Sequence, residues 1–442
     1  MTTHCETGTA LLRHPGLRRT LLAVLLGSAV LTTSAADEVT WEDTETVATS
    51  SELSLAFNNT KIAVRDEDGG LHLVWEDANN LRYGHQVEAG NWMIQTLAPA
   101  GIGAVMKPTI TLVGGETLLV SWSEPVGANQ QRIGFTTSDD LGTNWSTSSW
   151  VSPSGTDARS ASLSASDGAP GSDPYAAISW HDSANSTLEV STWTSASGWT
   201  TPQNPVDTVG VAKDAAIAAQ GESLILTWED DRTAQTHVRY AISEDSGANW
   251  GSDTLLGVDW FGAPGSQGGD PSAAFGPEGQ IIIGYQHHQS VFLVQSDDGG
   301  NTFSNLHRMG DGLFMHVDIA PNGSAFAAWE ELNGSLYDDS IKRLGSAFSS
   351  DVFETYDGIF FVPESNLNYG ATYPAGVIND DWLDTFWVDQ TGATPVLRHR
   401  AARVVIPEPA TSLLAMLAMA SLLGTRFPRR TGQHWSRMSR RV

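Results

Sequence analysis

The sequence predicts an all-β fold, a β-propeller of four-stranded blades, and three observations carry that prediction. Helical periodicity is absent between residues 37 and 406. Along the same stretch, short apolar runs recur that end in an aromatic residue followed by a polar turn. They are LHLVWED at Trp75, LLVSWSE at Trp122, AAISWHD at Trp180, LILTWED at Trp228, IIIGYQH at Tyr285, AFAAWEE at Trp329 and DTFWVDQ at Trp387. Their spacings of 47, 58, 48, 57, 44 and 58 residues define a period of about 50, which marks a repeat array rather than unrelated domains.

The unit is clearest at Gly221–Trp250. Ser223–Trp228 reads as an apolar strand, Glu229–Thr236 as a polar turn and His237–Ile242 as an alternating strand. Ser243–Trp250 is a tight loop with a glycine and a closing aromatic. With the run that precedes the Gly-rich turn, each repeat has four antiparallel strands, and radial closure leaves only short protected edges. Seven runs predict seven blades; six is the alternative if one unit is irregular. The last unit supplies Tyr373–Ile378, Asp384–Asp389 and Pro395–Val405 and then stops. Val39-Thr40-Trp41 has the form of the missing strand, so the N-terminal strand is expected to complete the ring.

The two ends read as addresses. Arg13, Arg18 and Arg19 precede an apolar run from Leu21 to Leu31, and Ser34-Ala35-Ala36 closes it before Asp37, so residues 1–36 are expected to be a secretory signal. At the other end Pro407-Glu408-Pro409 is followed by an apolar stretch from Ala410 to Thr425, then Arg426, Arg429 and Arg430. A helix over that stretch rises roughly 24 Å, marginal for a bilayer, with its arginines held on the cytoplasmic side. Residues 407–430 resemble the PEP-CTERM sorting signal of Gram-negative bacteria, followed by a basic tail at 431–442. The resemblance implies processing by an exosortase-type membrane protease, transient anchoring in the inner membrane, and delivery to the cell surface or extracellular matrix.

Without residues 1–36 and 410–442 the chain has 15 basic and 50 acidic residues, a net charge near −35. Such a surface repels nucleic acid and anionic membrane. Cys5, the one cysteine, lies in the signal, so disulfides and thiol chemistry are not expected in the remainder. No nucleotide loop or metal-ligand spacing is recognisable, and neither a metal nor another cofactor is expected.

Three loops share the pattern S-x-D-x-G-x-x-[WF]. They contain Ser138, Asp140, Gly142 and Trp145; Ser243, Asp245, Gly247 and Trp250; and Ser296, Asp298, Gly300 and Phe303. The aspartate can accept hydrogen bonds from loop N–H groups, the glycine takes a positive φ, and the aromatic plugs the gap between adjacent sheets. These loops resemble the Asp boxes, or BNR repeats, of sialidase-type β-propellers, and the resemblance extends over residues 39–405. In that family the boxes are structural, and their recurrence in several blades implies the same here.

The resemblance implies that a sialidase would use an arginine triad, a Tyr nucleophile assisted by Glu, and an Asp acid. The Arg-Ile-Pro motif of its first arginine is missing, and Arg65 is the nearest positional candidate. Candidate function therefore moves to the turns opposite the Asp boxes. There His287, beside His288, breaks a run of acidic residues that follow the aromatics (Asp77, Glu124, Asp182, Asp230, Glu331 and Asp389) and read as turn caps.

Lys107, Lys213 and Asp270 each lie 15 residues before their blade's aromatic, and Arg159 opens the equivalent strand of the third blade. Placed at the mouth of a central channel, with His316 and Tyr373, they could hold a carboxylated or sulfated sugar. Trp260, Phe261 and Phe360 lie in the two longest connections and are candidate stacking walls. His287, His316 and Tyr373 are the candidate catalytic residues. Three readings stay open: a surface or matrix propeller that binds polysaccharide or protein; a glycan-active enzyme, a sialidase-like hydrolase or a lyase for acidic sugars; and a purely structural matrix component with no defined ligand.

Overall fold

The structure, a computed structural model, describes residues 38–55, 61–101, 104–206, 212–232, 235–257, 268–332, 342–354, 359–361 and 371–405. Residues 37–405 form one compact unit. The expected signal at residues 1–36, Pro407, Glu408, Pro409 and all beyond them, Trp260 and Phe261 lie outside the described residues, as do the side chains of Phe360 and Tyr373.

Every regular element among the described residues is a strand, arranged as a β-propeller of antiparallel four-stranded units. In unit two the order is Met106–Val113, Thr117–Gly127, Gln130–Ser138 and Ser149–Trp150, each paired with the next. Unit three runs Ala158–Ser166, Tyr175–Asp182, Thr187–Thr194 and Gly198–Trp199, and unit four repeats the plan from Ala212–Gln220 to Thr254–Leu255. The first strands lie side by side around the ring, those of units two to six in succession, and Ala371–Ile378 neighbours Ala63–Arg65.

The seven aromatic-ended runs are the second strands of seven such units, but the units form six hydrogen-bonded sheets. The reason is the strand Ser304–Ile319, 16 residues long. Its first half pairs with Ser290–Ser296 as the outer strand of unit five, and its second half pairs with Ala325–Leu332 as the inner strand of unit six. The N-terminal segment lies beside the chain's last strand: Glu38–Trp41 pairs with Ala402–Val405, and Glu45–Thr49 with Val396–His399.

The periodic aromatics form the core. Trp75, Trp122, Trp180, Trp228 and Trp329 are all fully buried, between the sheets of neighbouring units. Burying an aromatic of this size removes 150–250 Å² from water, about 4–6 kcal/mol of transfer free energy per side chain at the usual coefficient. A disulfide-free core is therefore well supplied.

The S-x-D loops close the gaps between units. In the first, Ser138 Oγ donates to Asp140 Oδ1 at 2.8 Å, Gly142 N donates to Ser138 Oγ at 2.8 Å, and Asn144 N donates to Asp140 Oδ1 at 2.7 Å. Ser243, Asp245, Gly247 and Asn249 repeat these bonds, as do Ser296, Asp298, Gly300 and Thr302. The loop N–H and hydroxyl donors hold Asp140, Asp245 and Asp298 below the usual carboxylate range, so each stays ionised. The closing aromatics then pack edge-on against the preceding unit, Trp145 on Tyr83 at 4.9 Å and Phe303 on Tyr240 at 5.0 Å. Those tyrosines donate to the loop carbonyls of Leu141 at 3.2 Å and Gly300 at 3.1 Å.

A fourth loop has the first two of these bonds without the sequence pattern. Ser349 Oγ donates to Asp351 Oδ1 at 2.7 Å and accepts from Phe353 N at 2.8 Å. Phe353 takes the glycine's place with φ 64°.

At Gly142, φ is 88° and an added Cβ would meet Tyr83 Oη at 1.9 Å, whereas at Gly247 it would meet side-chain methyls alone, Leu224 Cδ1 at 3.1 Å and Thr192 Cγ2 at 3.4 Å. Gly142→Ala is therefore expected to destabilise the protein by roughly 3 kcal/mol or more, and Gly247→Ala by only about 1–2 kcal/mol, the backbone cost alone. Urea titration of the two variants checks the order.

Candidate functional site

The inner strands share one irregularity. Opposite the aromatic of the following strand, two residues face one: 107–108 face Trp122, 160–161 face Trp180 and 214–215 face Trp228. Residues 270–271 face Tyr285, 314–315 face Trp329 and 373–374 face Trp387 in the same way. Such bulges bend a strand and re-aim a side chain. The first bulged residue has a left-handed backbone at Lys107 (φ 50°), Ser160 (55°), Asp214 (45°), Asp270 (48°) and Phe314 (53°).

Glycine would hold this conformation without penalty, whereas other residues carry about 1–2 kcal/mol of strain each. None of the five is glycine, and they are of four chemical types. A bulge needed only for shape would not keep them.

The residue directly after an aromatic supports the next unit's bulge. Glu76 accepts from Lys107 N, Ser123 Oγ accepts from Ser160 N at 3.1 Å, and Gln286 Oε1 accepts from Phe314 N at 3.2 Å. The acids one place further on serve locally. Glu124 accepts the Trp122 indole N–H at 3.1 Å and Asp230 that of Trp228 at 3.3 Å. Asp182, Asp230 and Asp389 accept from turn N–H groups of Ala184, Arg232 and Thr391.

The bulges bring a charge cluster together across three units. Lys107 Nζ donates to Ser160 Oγ at 2.8 Å and lies 3.6 Å from Asp214 Oδ1. Lys213 Nζ is 2.5 Å from Glu229 Oε1. Oxygens of Asp214, Glu229 and Asp270 lie within 4.8 Å of one another. Burial, then the charges of Asp214 and Glu229, push the Asp270 carboxyl up to about 6, with Lys107 and Lys213 pulling the other way. The hydrogen bond from Lys213 to Glu229 raises the lysine, which stays charged.

Lys107, Lys213 and Asp270 thus lie in one cluster. Each cation has its own carboxylate: Asp214 for Lys107, Glu229 for Lys213, and Asp157 for Arg159 at 2.9 Å. Two lysines face three carboxylates, so the cluster has no surplus positive charge for an acidic sugar. Asp214, absent from the sequence-based set, holds the bulge position where Lys213 was expected. The turn after the inner strand is Gly221–Glu222 in unit four but Gly114–Glu116 in unit two, and that one-residue difference shifts any register counted from the aromatic.

His316 is only 2% exposed, with Nε2 2.9 Å from the Gly376 carbonyl, so it packs between units rather than lining the mouth. His287 is the last residue of the strand Ile281–His287, paired with Ser290 and one residue beyond the partner of Gly269, with its ring 4.3 Å from that of His288 in the turn. Tyr373 holds the first bulge position of unit seven. Arg65 is not available to a substrate carboxylate: Nε and Nη2 donate to buried Asp384 at 2.6 and 2.7 Å.

No family model and no curated protein matches the chain. Solved structures do. The polysaccharide lyase Uly1 superimposes with a TM-score of 0.52 at 8% identity, over 83% of this chain and 100% of that one. An ulvan lyase of family PL25 bound to -[GlcA(1-4)Rha3S]- gives 0.52 at 12% identity, over 82% of this chain and 95% of that one. A sialidase from Trypanosoma rangeli gives 0.47 at 14% identity, over 85% of this chain, which spans 62% of the sialidase. What the two lyases share with this chain is its fold, the all-β propeller of antiparallel blades.

Proposed function

We propose that the chain is an exported, surface- or matrix-associated propeller that binds extracellular polysaccharide at the mouth formed by its inner-strand bulges. The observation that carries this reading is the set of five strained non-glycine residues, Lys107, Ser160, Asp214, Asp270 and Phe314, at equivalent points of successive units. Lysine–carboxylate pairs offer adjacent donors and acceptors to vicinal hydroxyls, and half-buried Phe314 offers a face for a sugar ring. The charge balance favours an uncharged, hydroxyl-rich glycan over the acidic one expected from the lysines alone. The S-x-D loops serve as Asp boxes and hold the scaffold. The signal at residues 1–36 and the Pro407–Arg430 segment support export and exosortase processing.

A second reading, a glycoside hydrolase or lyase, has one observation in its favour. Asp270, raised to about 6, holds a proton to higher pH than an ordinary aspartate and stands within 4.8 Å of the Asp214 and Glu229 oxygens, a grouping from which an acid and a base could be drawn.

A glycan array followed by calorimetry on the hits tests the binding. Asp214→Ala is expected to weaken a neutral glycan at least about tenfold while the chain stays folded, since it removes an acceptor from the cluster and the carboxylate 3.6 Å from Lys107 Nζ. Unchanged affinity in that variant overturns the site. Release of reducing ends or unsaturated products from the bound glycan replaces the binding reading with the enzymatic one.

A further inference from the structure

We infer that Asp66, His72 and His85 form a zinc-binding site in unit one, independent of the inner-strand cluster. Sheet register builds it. His72 and His85 are direct partners on adjacent strands, and Asp66 follows Arg65 at the turn that leads into His72's strand. Acceptor atoms of the three side chains lie within 4.8 Å of one another.

Two of the three ligands, Asp66 and His72, are held from behind. Asp66 Oδ1 accepts from Gly70 N at 2.6 Å, which leaves Oδ2 directed at the site. A Cβ at Gly70 would lie 2.5 Å from that Oδ2, so the glycine keeps the carboxylate's space open. His72 is fully buried, with Nδ1 2.7 Å from Tyr83 Oη, the outer contact that fixes a ligating imidazole. Its Nε2 lies 3.1 Å from Asp66 Oδ2, close to the edge of about 3.3 Å that a tetrahedral zinc with bonds of about 2.0–2.1 Å imposes on its ligands.

An aspartate–histidine hydrogen bond alone would need no third group. Yet His85 lays its ring over His72 at 4.6 Å with 17° between planes. Two imidazoles and one carboxylate are the donor set of zinc rather than of calcium or magnesium, which take oxygen. Asp66 and His72 are buried and His85 is half-buried, so a fourth position toward solvent suits a water.

The test uses the full chain, stripped with a chelator and titrated with ZnCl2. One tight equivalent is expected, and zinc at about a hundredfold over Kd should raise Tm by roughly 3–4 °C. Co2+ in its place should give the visible absorption of a tetrahedral site. His85→Ala, at a half-buried position, should keep the fold, weaken the tight equivalent at least about tenfold and remove the Co2+ bands. Asp66→Asn should do the same. Zinc binding that is equal in wild type and His85→Ala reports only the acidic surface and overturns the site. Absence of a tight equivalent in folded wild type does so too.

Discussion

Replacing Asp384 with asparagine is expected to lower stability by about 3–5 kcal/mol, measured by urea titration near pH 6, because it leaves two buried cationic groups without their counter-charge. Asp384 is wholly buried and binds Arg65 through both oxygens, at 2.6 and 2.7 Å. Its Oδ1 also lies 2.8 Å from His399 Nε2, while His399 Nδ1 is 3.1 Å from Glu45 Oε2. Gln86 donates to the same Glu45 oxygen at 2.7 Å, and the guanidinium of Arg65 lies over Trp382. The network ties the N-terminal segment, through Glu45, to unit one, through Arg65 and Gln86, and to unit seven. Its loss should loosen that whole junction.

The same network sets a pH window. Burial opposes a charge on His399, but Asp384 and Glu45 outweigh it and hold the imidazole above its ordinary 6.5. Its contribution is therefore complete below pH 6.5 and is lost as pH rises through the raised value. Burial likewise raises Asp384 and Glu45, but His399 chiefly, with Arg65 on Asp384, holds them below their ordinary 3.8 and 4.5. Their contribution is complete above those values and fades as pH falls through the lowered ones. The network should thus support the fold most fully between about pH 4.5 and 6.5. His399→Gln should remove the alkaline decline that wild type shows in a Tm-against-pH series. An identical decline in the variant would place its origin elsewhere.

Asp270→Asn is expected to do the opposite: stabilise the protein at pH 8 by roughly 2–3 kcal/mol and leave it nearly unchanged at pH 4. A carboxyl raised from 3.8 to about 6 in the folded state binds more protons there than in the unfolded chain. Stability therefore falls as pH rises between those values, and the penalty persists above them. Asparagine cannot ionise and removes it. A carboxylate kept where it weakens the fold is the pattern of a residue retained for a ligand, so the stabilised variant should also bind the glycan less tightly. If Asp270→Asn leaves both Tm at pH 8 and affinity unchanged, the cluster has neither the energetics nor the role assigned to it.

Much of the fold was legible because it repeats. An aromatic that must be buried between sheets recurs once per unit, and a Ser-x-Asp-x-Gly loop closes its own hydrogen bonds within a few residues, so both leave a local signature. The loop at Ser349 escaped because Phe353 occupies the left-handed position without the glycine that marks it. The fusion of units five and six escaped because nothing in Ser304–Ile319 signals a strand that serves two neighbours. The candidate site was only partly legible. Lys107 and Asp270 were found by their distance from an aromatic, while Asp214 was missed by one residue because turn lengths differ between units. The trio Asp66, His72 and His85 has no recognisable metal-ligand spacing, since cross-strand register and one folded-back carboxylate assemble it.

The sequence by itself determined the propeller and its period, for burial and turn chemistry act over a few residues and recur. Only the tertiary structure decided which charges meet. Lys107 reaches past Ser160 to Asp214 across two unit boundaries, and Arg65 is taken up by Asp384, more than three hundred residues away. Those pairings leave the inner-strand cluster with no surplus cation, because an ion pair depends on distance in space and on local burial, and the linear order of residues encodes neither.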